Sequence, residues 1–192
     1  MSGEERPVAS PSQTVGPFFH FGLATNEALG RIATGAEQGE HIRLRIRVLD
    51  GDGVPVADAL VEVYQADSNG DYRRSPQRPG ERPAFTGFGR LPTDPDGVCV
   101  FETIRPGPVA LGTGGAQAPH VNVCLLARGL LRQVYTRIYF AGDSGHDGDP
   151  ILGLVPQDRR ATLIASRAPE AADTWELVIR LQGERETVFF DI

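Results

Sequence analysis

A chain of 192 residues suits one domain, or one domain with an arm, and is too short for two catalytic domains. Hydrophobic residues make up 40% and charged residues 23%, with Gly 23 and Pro 15, a composition expected to fold. The net charge is -6 and every basic residue is an arginine, none of them gathered into a stripe, which argues against nucleic acid or an anionic membrane as partner. The absence of lysine excludes P-loop phosphate binding, Schiff-base chemistry and a pyridoxal phosphate linkage. Residues 1–10 lack the basic start and apolar run of a secretory signal, and apolar stretches stay short, so a cytoplasmic location is expected.

Residues 1–40 carry no sustained periodicity and contain Pro7, Pro11, Gly16 and Pro17; they read as an ordered arm with a short helix near Asn26 to Thr34. From His41 the pattern changes. Ile42, Leu44, Ile46 and Val48 alternate with Arg43, Arg45 and Arg47, the period of a strand with one wet face. Asp50-Gly51-Asp52-Gly53 supplies turn chemistry, and Ala59 to Ala66 reads as the next strand, expected to pair with the first as a hairpin. Ser68 to Pro95 forms a long excursion rich in Gly, Pro and Arg, of the kind a compact domain keeps for a site or an interface.

Strands follow over Val98 to Ile104, His120 to Ala127, Val134 to Phe140, Thr174 to Leu181 and Thr187 to Ile192. Gln157 to Arg167 is the one segment here that looks helical. No alternation of strand with crossover helix occurs. The expected fold is therefore all-β, an antiparallel β-sandwich over 41–192 with the 1–40 arm and one short helix in its C-terminal half.

The scattered His20, His41, His120 and His146 form no HExxH or His-x-His, so a self-contained zinc site has no support. There is no nucleophile elbow. Asp143, Asp147 and Asp149 read as a solvated turn in preference to a calcium loop. Cys99 and Cys124 lie in strand-like runs and read as small core hydrophobes, a disulfide being the weaker alternative.

Five stretches take the reading further: Pro11 to Phe19, Val61 to Arg73 (VEVYQADSNGDYR), Thr103 to Pro108, Ala118-Pro119-His120-Val121-Asn122, and Gln182 to Ile192. In this order, together with YTRIYF and RRATLIA, they resemble the intradiol ring-cleaving dioxygenases over nearly the whole chain. The resemblance implies a non-haem Fe(III) held by two tyrosines and two histidines, hard oxygen donors suiting the ferric state. In this chain the second histidine of the Pro-x-His-x-His strand is Asn122, and the tyrosine expected after the Arg-Pro-Gly-Pro turn is Val109. Tyr72 reads as packing its glycine turn, and His120 as a strand histidine near the surface of a former pocket.

Val109, His120 and Asn122 are thus vestigial positions. The resemblance then implies that this chain binds no metal and has no catalytic residue of its own, and that it completes the active site of an iron-bearing paralogous chain acting on a small aromatic acid with dioxygen. Thr14, Gly16 and Pro17 would form a stiff pocket wall, and Arg128 of Ala127-Arg128-Gly129 would reach the partner's substrate site. A stand-alone β-sandwich binding module and a self-sufficient dioxygenase with replacement ligands are the alternatives.

Overall fold

The computed structural model describes residues 18–72, 85–112 and 114–191, with the backbone alone described for 18–20. A short helix α1 (Phe18–Leu23) and a 3-10 turn (Glu27–Gly30) precede ten strands. These are β1 (His41–Leu49), β2 (Leu60–Gln65), β3 (Phe88–Pro92), β4 (Val98–Ile104), β5 (Val109–Ala110), β6 (Ala116–Gln117), β7 (His120–Leu126), β8 (Val134–Phe140), β9 (Ile164–Ala168) and β10 (Ala171–Arg180). Eight form one continuous sheet in the order β3-β2-β7-β8-β9-β10-β1-β4, and β5 pairs with β6.

The sheet folds over on itself, because both of its halves have one apolar face to bury. In β1 the apolar set Ile42, Leu44, Ile46 and Val48 is buried while the arginines between them face out. These side chains share a single cluster with Phe101, Leu177 and Ile179 from their own half and with Val61, Val63, Val123, Leu125 and Ile138 from the other. Each fully buried aliphatic contributes about 1.5–3 kcal/mol relative to exposure. One buried polar link crosses the layers. Thr103 donates to Gln65 Oε1 at 2.8 Å, and Gln65 Nε2 donates to the Ile104 carbonyl at 2.8 Å.

The expected sandwich is present, with two parallel pairs, β1 with β10 and β8 with β9, among its antiparallel ones. Two local expectations are overturned. The strands β1 and β2 form no hairpin: β1 lies between β10 and β4, whereas β2 lies between β3 and β7. Asp50 does build the expected turn, its Oδ1 accepting from Asp52 N and Val54 N, but after a single bridge from Leu49 to Pro55 the chain crosses to the other layer.

Gln157 to Arg167 is not a helix. A 3-10 turn at Arg160–Leu163 runs into β9, where Ile164 and Ala165 pair with Tyr139 and Phe140. Joining the two layers gives these residues sheet partners and buries Leu163 and Ala165, which outweighs a modest local helix preference. Near the C-terminus, the strand expected from Thr187 is a single bridge, Tyr135 to Phe190. Part of the excursion from Ser68 is sheet, supplying β3; its residues 73–84 lie outside the described residues. Cys99 is buried in the core, Cys124 is half-buried on the opposite face of its sheet, and both are free thiols.

Candidate functional site

Two of the vestigial positions, His120 and Asn122, meet on the face of the β2-β7-β8 layer that points away from the main core. His120 and Asn122 lie two residues apart on β7 and so project to the same side. Their cross-strand neighbours on β8 are Tyr139 and Arg137. Tyr72 reaches the same place from a turn that Asp67 builds: Asp67 Oδ1 accepts from Asn69 N and Asp71 N, and its carbonyl accepts from Gly70 N and Gly107 N. The Tyr72 ring lies on the Tyr64 ring at 5.1 Å, tilted by 28°.

Tyr72 does more than pack its turn. Its hydroxyl stands 3.1 Å from His120 Nε2 and accepts from Asn122 Nδ2 at 2.9 Å. The Ala118 carbonyl, 2.8 Å from His120 Nδ1, can only accept, so Nδ1 carries the proton of the neutral imidazole and donates it there, and Nε2 accepts from the Tyr72 hydroxyl. His120 is 1% exposed, well inside the fold and not near its surface. Burial favours the neutral form of both groups, pushing the Tyr72 phenol above its usual value and the His120 imidazole below its own. Asn122 also donates to the Tyr64 carbonyl at 3.2 Å. The signal missed in the sequence is the contact between residues 48 apart, which no local pattern carries.

These donors do not fit ferric iron. A shell of anionic oxygens and free imidazole lone pairs finds here one protonated phenol, one imidazole whose Nε2 lone pair already accepts from that phenol, an amide, and Val109 with no donor atom. Val109 pairs with Gln117 through the β5-β6 ladder, and Gln117 Oε1 accepts from Arg137 Nη1 at 2.6 Å, so the vestigial positions and Arg137 form one neighbourhood. Among the described residues no group of three His, Cys, Asp or Glu is placed to hold a metal ion.

The acidic loop after β8 is not a solvated turn throughout. Asp149 is 2% exposed, accepting from Ala118 N, Ile151 N, Leu152 N and the Tyr139 hydroxyl. Asp143 pairs with Arg105 at 2.8 Å. Both carboxylates hold the loop in place. Since Ala118 also carries the His120 contact, Asp149 anchors the segment that orients the imidazole.

Arg128 sits in the turn after β7, at the end of that strand remote from His120, with Gly129 following at φ 90°. It is exposed, and its side chain makes no hydrogen bond or ion pair with another described residue. Thr14, Gly16 and Pro17 lie outside the described residues. The arm's described part, 18–40, docks by backbone bonds from Ile32 N and Ala33 N to the Glu102 carbonyl. No helix among the described residues is long and apolar enough to cross a membrane.

A family model described as dioxygenase matches residues 14–183. The chain is 39% identical to the protocatechuate 3,4-dioxygenase alpha chain of Burkholderia cepacia, over 95% of this chain and 97% of that one. It is 36% identical to the beta chain from the same organism over a shorter stretch, 70% of this chain and 59% of that one. In fold it is similar to the chlorocatechol dioxygenase of Rhodococcus opacus, with a TM-score of 0.65, 22% identity and coverage of 90% of this chain and 71% of that one. With the domain matched almost end to end, the chain belongs to the intradiol ring-cleaving dioxygenases.

Proposed function

We propose that this chain is the alpha-type, iron-free subunit of a protocatechuate 3,4-dioxygenase, and that it completes the active site of an iron-bearing beta chain. The observation that carries this reading is the self-satisfied cluster of Tyr72, His120 and Asn122, with Val109 in place of a tyrosine, in a chain similar over 95% of its length to an alpha chain. The enzyme cleaves the ring of protocatechuate (3,4-dihydroxybenzoate) between its two hydroxylated carbons, and both atoms of dioxygen enter the product, 3-carboxy-cis,cis-muconate. The Fe(III) of the family would be held by the beta chain and would supply the activation of the catechol there.

This chain contributes surface. Thr14, Gly16 and Pro17 of the arm supply a wall for the flat substrate, and the arm and the excursion from Ser68 build an extensive interface. Arg128 has its guanidinium unspent within the described part of its own chain. Such a group, brought to the partner's pocket, makes charge-assisted contacts to the substrate carboxylate or to polar groups beside it.

Co-expression with a beta chain carrying the Pro-x-His-x-His strand tests the reading. Ring cleavage is expected from the mixture and not from either chain alone, and this chain alone is expected to be colourless. Stoichiometric ferric ion with tyrosinate colour in the isolated chain would overturn it, as would a monodisperse chain that ignores the beta chain. Arg128→Ala in the assembled enzyme is expected to lower kcat/KM about tenfold or more, the size of a lost hydrogen bond to a charged group, with iron content unchanged. Unchanged kinetics would remove Arg128 from the site.

A further inference from the structure

The outward face of the β3-β2-β7-β8 layer carries an ordered row of side chains. The strand registers set Phe88, Tyr64, Asn122 and Arg137 side by side across four strands, with Arg90, Glu62, Cys124 and Tyr135 in the row beside them. At about 4.8 Å between strands, the first row spans roughly 14 Å. Ile151 and Leu154 from the loop after Asp149, and Phe190 from the C-terminal segment, stand along the same face. Between them lies a mostly apolar cleft of about 470 Å³, within the size range of small-molecule sites.

The charges around the cleft are unequal in their commitments. Glu62 is matched by Arg90 at 2.6 Å, and Asp191 is exposed at the rim. Arg137 is half-buried, and among the described residues no carboxylate pairs with it; its Nη1 donates to the neutral amide of Gln117. A guanidinium has five N–H donors in a planar fork. Held in a partly desolvated cleft beside neutral acceptors, it favours a planar anion with two oxygens, and the aromatic and aliphatic wall favours a flat apolar body behind that anion.

We infer that this cleft binds a planar aromatic carboxylate, its carboxylate on Arg137 and its ring between Tyr64 and Leu154, without transforming it. This site belongs to the chain's own sheet face. It needs neither iron nor the partner's pocket, so its failure would leave the subunit reading standing, and the reverse also holds.

The test is titration of the full chain with para-fluorobenzoate, followed by fluorine NMR. Saturable broadening is expected. Acetate, with the same charge and no ring, should displace the probe only at tenfold or higher excess. Arg137→Gln keeps a shorter, uncharged polar group beside Gln117 and should weaken binding at least tenfold. Leu154→Trp fills the cleft from a position 78% exposed, where a larger side chain is compatible with the fold, and should block binding with the melting curve unchanged. No saturable binding by the wild-type chain, or binding retained in full by both variants, would overturn the inference. Displacement by acetate at equal concentration would overturn the aromatic part of it.

Discussion

Gly70→Ala is expected to lower the stability of the chain by about 3–5 kcal/mol and its melting temperature by roughly 10 °C, measured by calorimetry or by circular dichroism. Two costs add. Gly70 has a φ of +87°, a conformation that costs a side-chain-bearing residue about 1–2 kcal/mol. A Cβ there would also stand 1.9 Å from the Pro108 carbonyl oxygen and 2.8 Å from its carbon, so backbone would have to move. The opposing loop has no slack, since a Cβ on Gly107 would meet the Ser68 carbonyl oxygen at 2.3 Å.

The Ser68–Asp71 turn and the Arg105–Pro108 loop are therefore interlocked through two glycines. Gly53 separates the two costs: its φ is +80° with nothing within 4 Å of a built Cβ. Gly53→Ala should lose only the conformational part, about 1 kcal/mol. Equal losses at the two positions would show that the loops are not locked as described. Because Tyr72 follows this turn, Gly70→Ala should also disturb the tyrosine environment in the near-ultraviolet spectrum, whereas Gly53→Ala should not.

How far the sequence alone carries this reading depends on the range of the interactions. The alternation in β1 is legible because one strand buries every second residue against one layer, and Val98 to Ile104 coincides with β4 for the same reason, whereas Val134 to Phe140 coincides with β8 as an apolar run buried on both faces at its end. The partner of β1 was not legible. Asp50 to Gly53 makes a true turn, yet a turn bends the chain without saying which strand it will meet, and β1 finds β10 about 130 positions away in sequence. The segment 157–167 shows the same limit, since the sheet partners of Ile164 and Ala165 on β8 outweigh its local preference.

Within the site, the His120 and Asn122 spacing and the Val109 position could be read from the order of motifs. The hydroxyl of Tyr72 could not, nor could the row formed by Phe88, Tyr64, Asn122 and Arg137, because each member comes from a different strand. Asp149 was hidden for a different reason. In GDSGHDGDP it looks like its neighbours Asp143 and Asp147, and only the packing of Leu152, Val155, Leu163 and Tyr139 around that loop takes it out of water.

Asp149→Ala is expected to have an effect comparable to Gly70→Ala, about 3–5 kcal/mol, by a different route. Removal of the carboxylate leaves the Ala118, Ile151 and Leu152 N–H groups and the Tyr139 hydroxyl without their acceptor, where Leu152 and Tyr139 are fully buried. Each stranded donor costs about 1–3 kcal/mol, reduced where water can enter the space left behind. Asp149→Asn gives the sharper test. Its Oδ1 can still accept from Tyr139, Ile151 and Leu152, but one orientation of the amide sets its NH2 against the Ala118 N–H that now donates to Oδ2 at 2.7 Å. The expected loss is about 1–2 kcal/mol, confined to the Ala118 side. That residue holds His120 Nδ1 through its carbonyl, so the amide variant should shift the His120 ring resonances in NMR while Leu152 and Tyr139 keep theirs. A variant as stable as the wild type, with the His120 signals unmoved, would show that Asp149 does not anchor the segment that orients the imidazole.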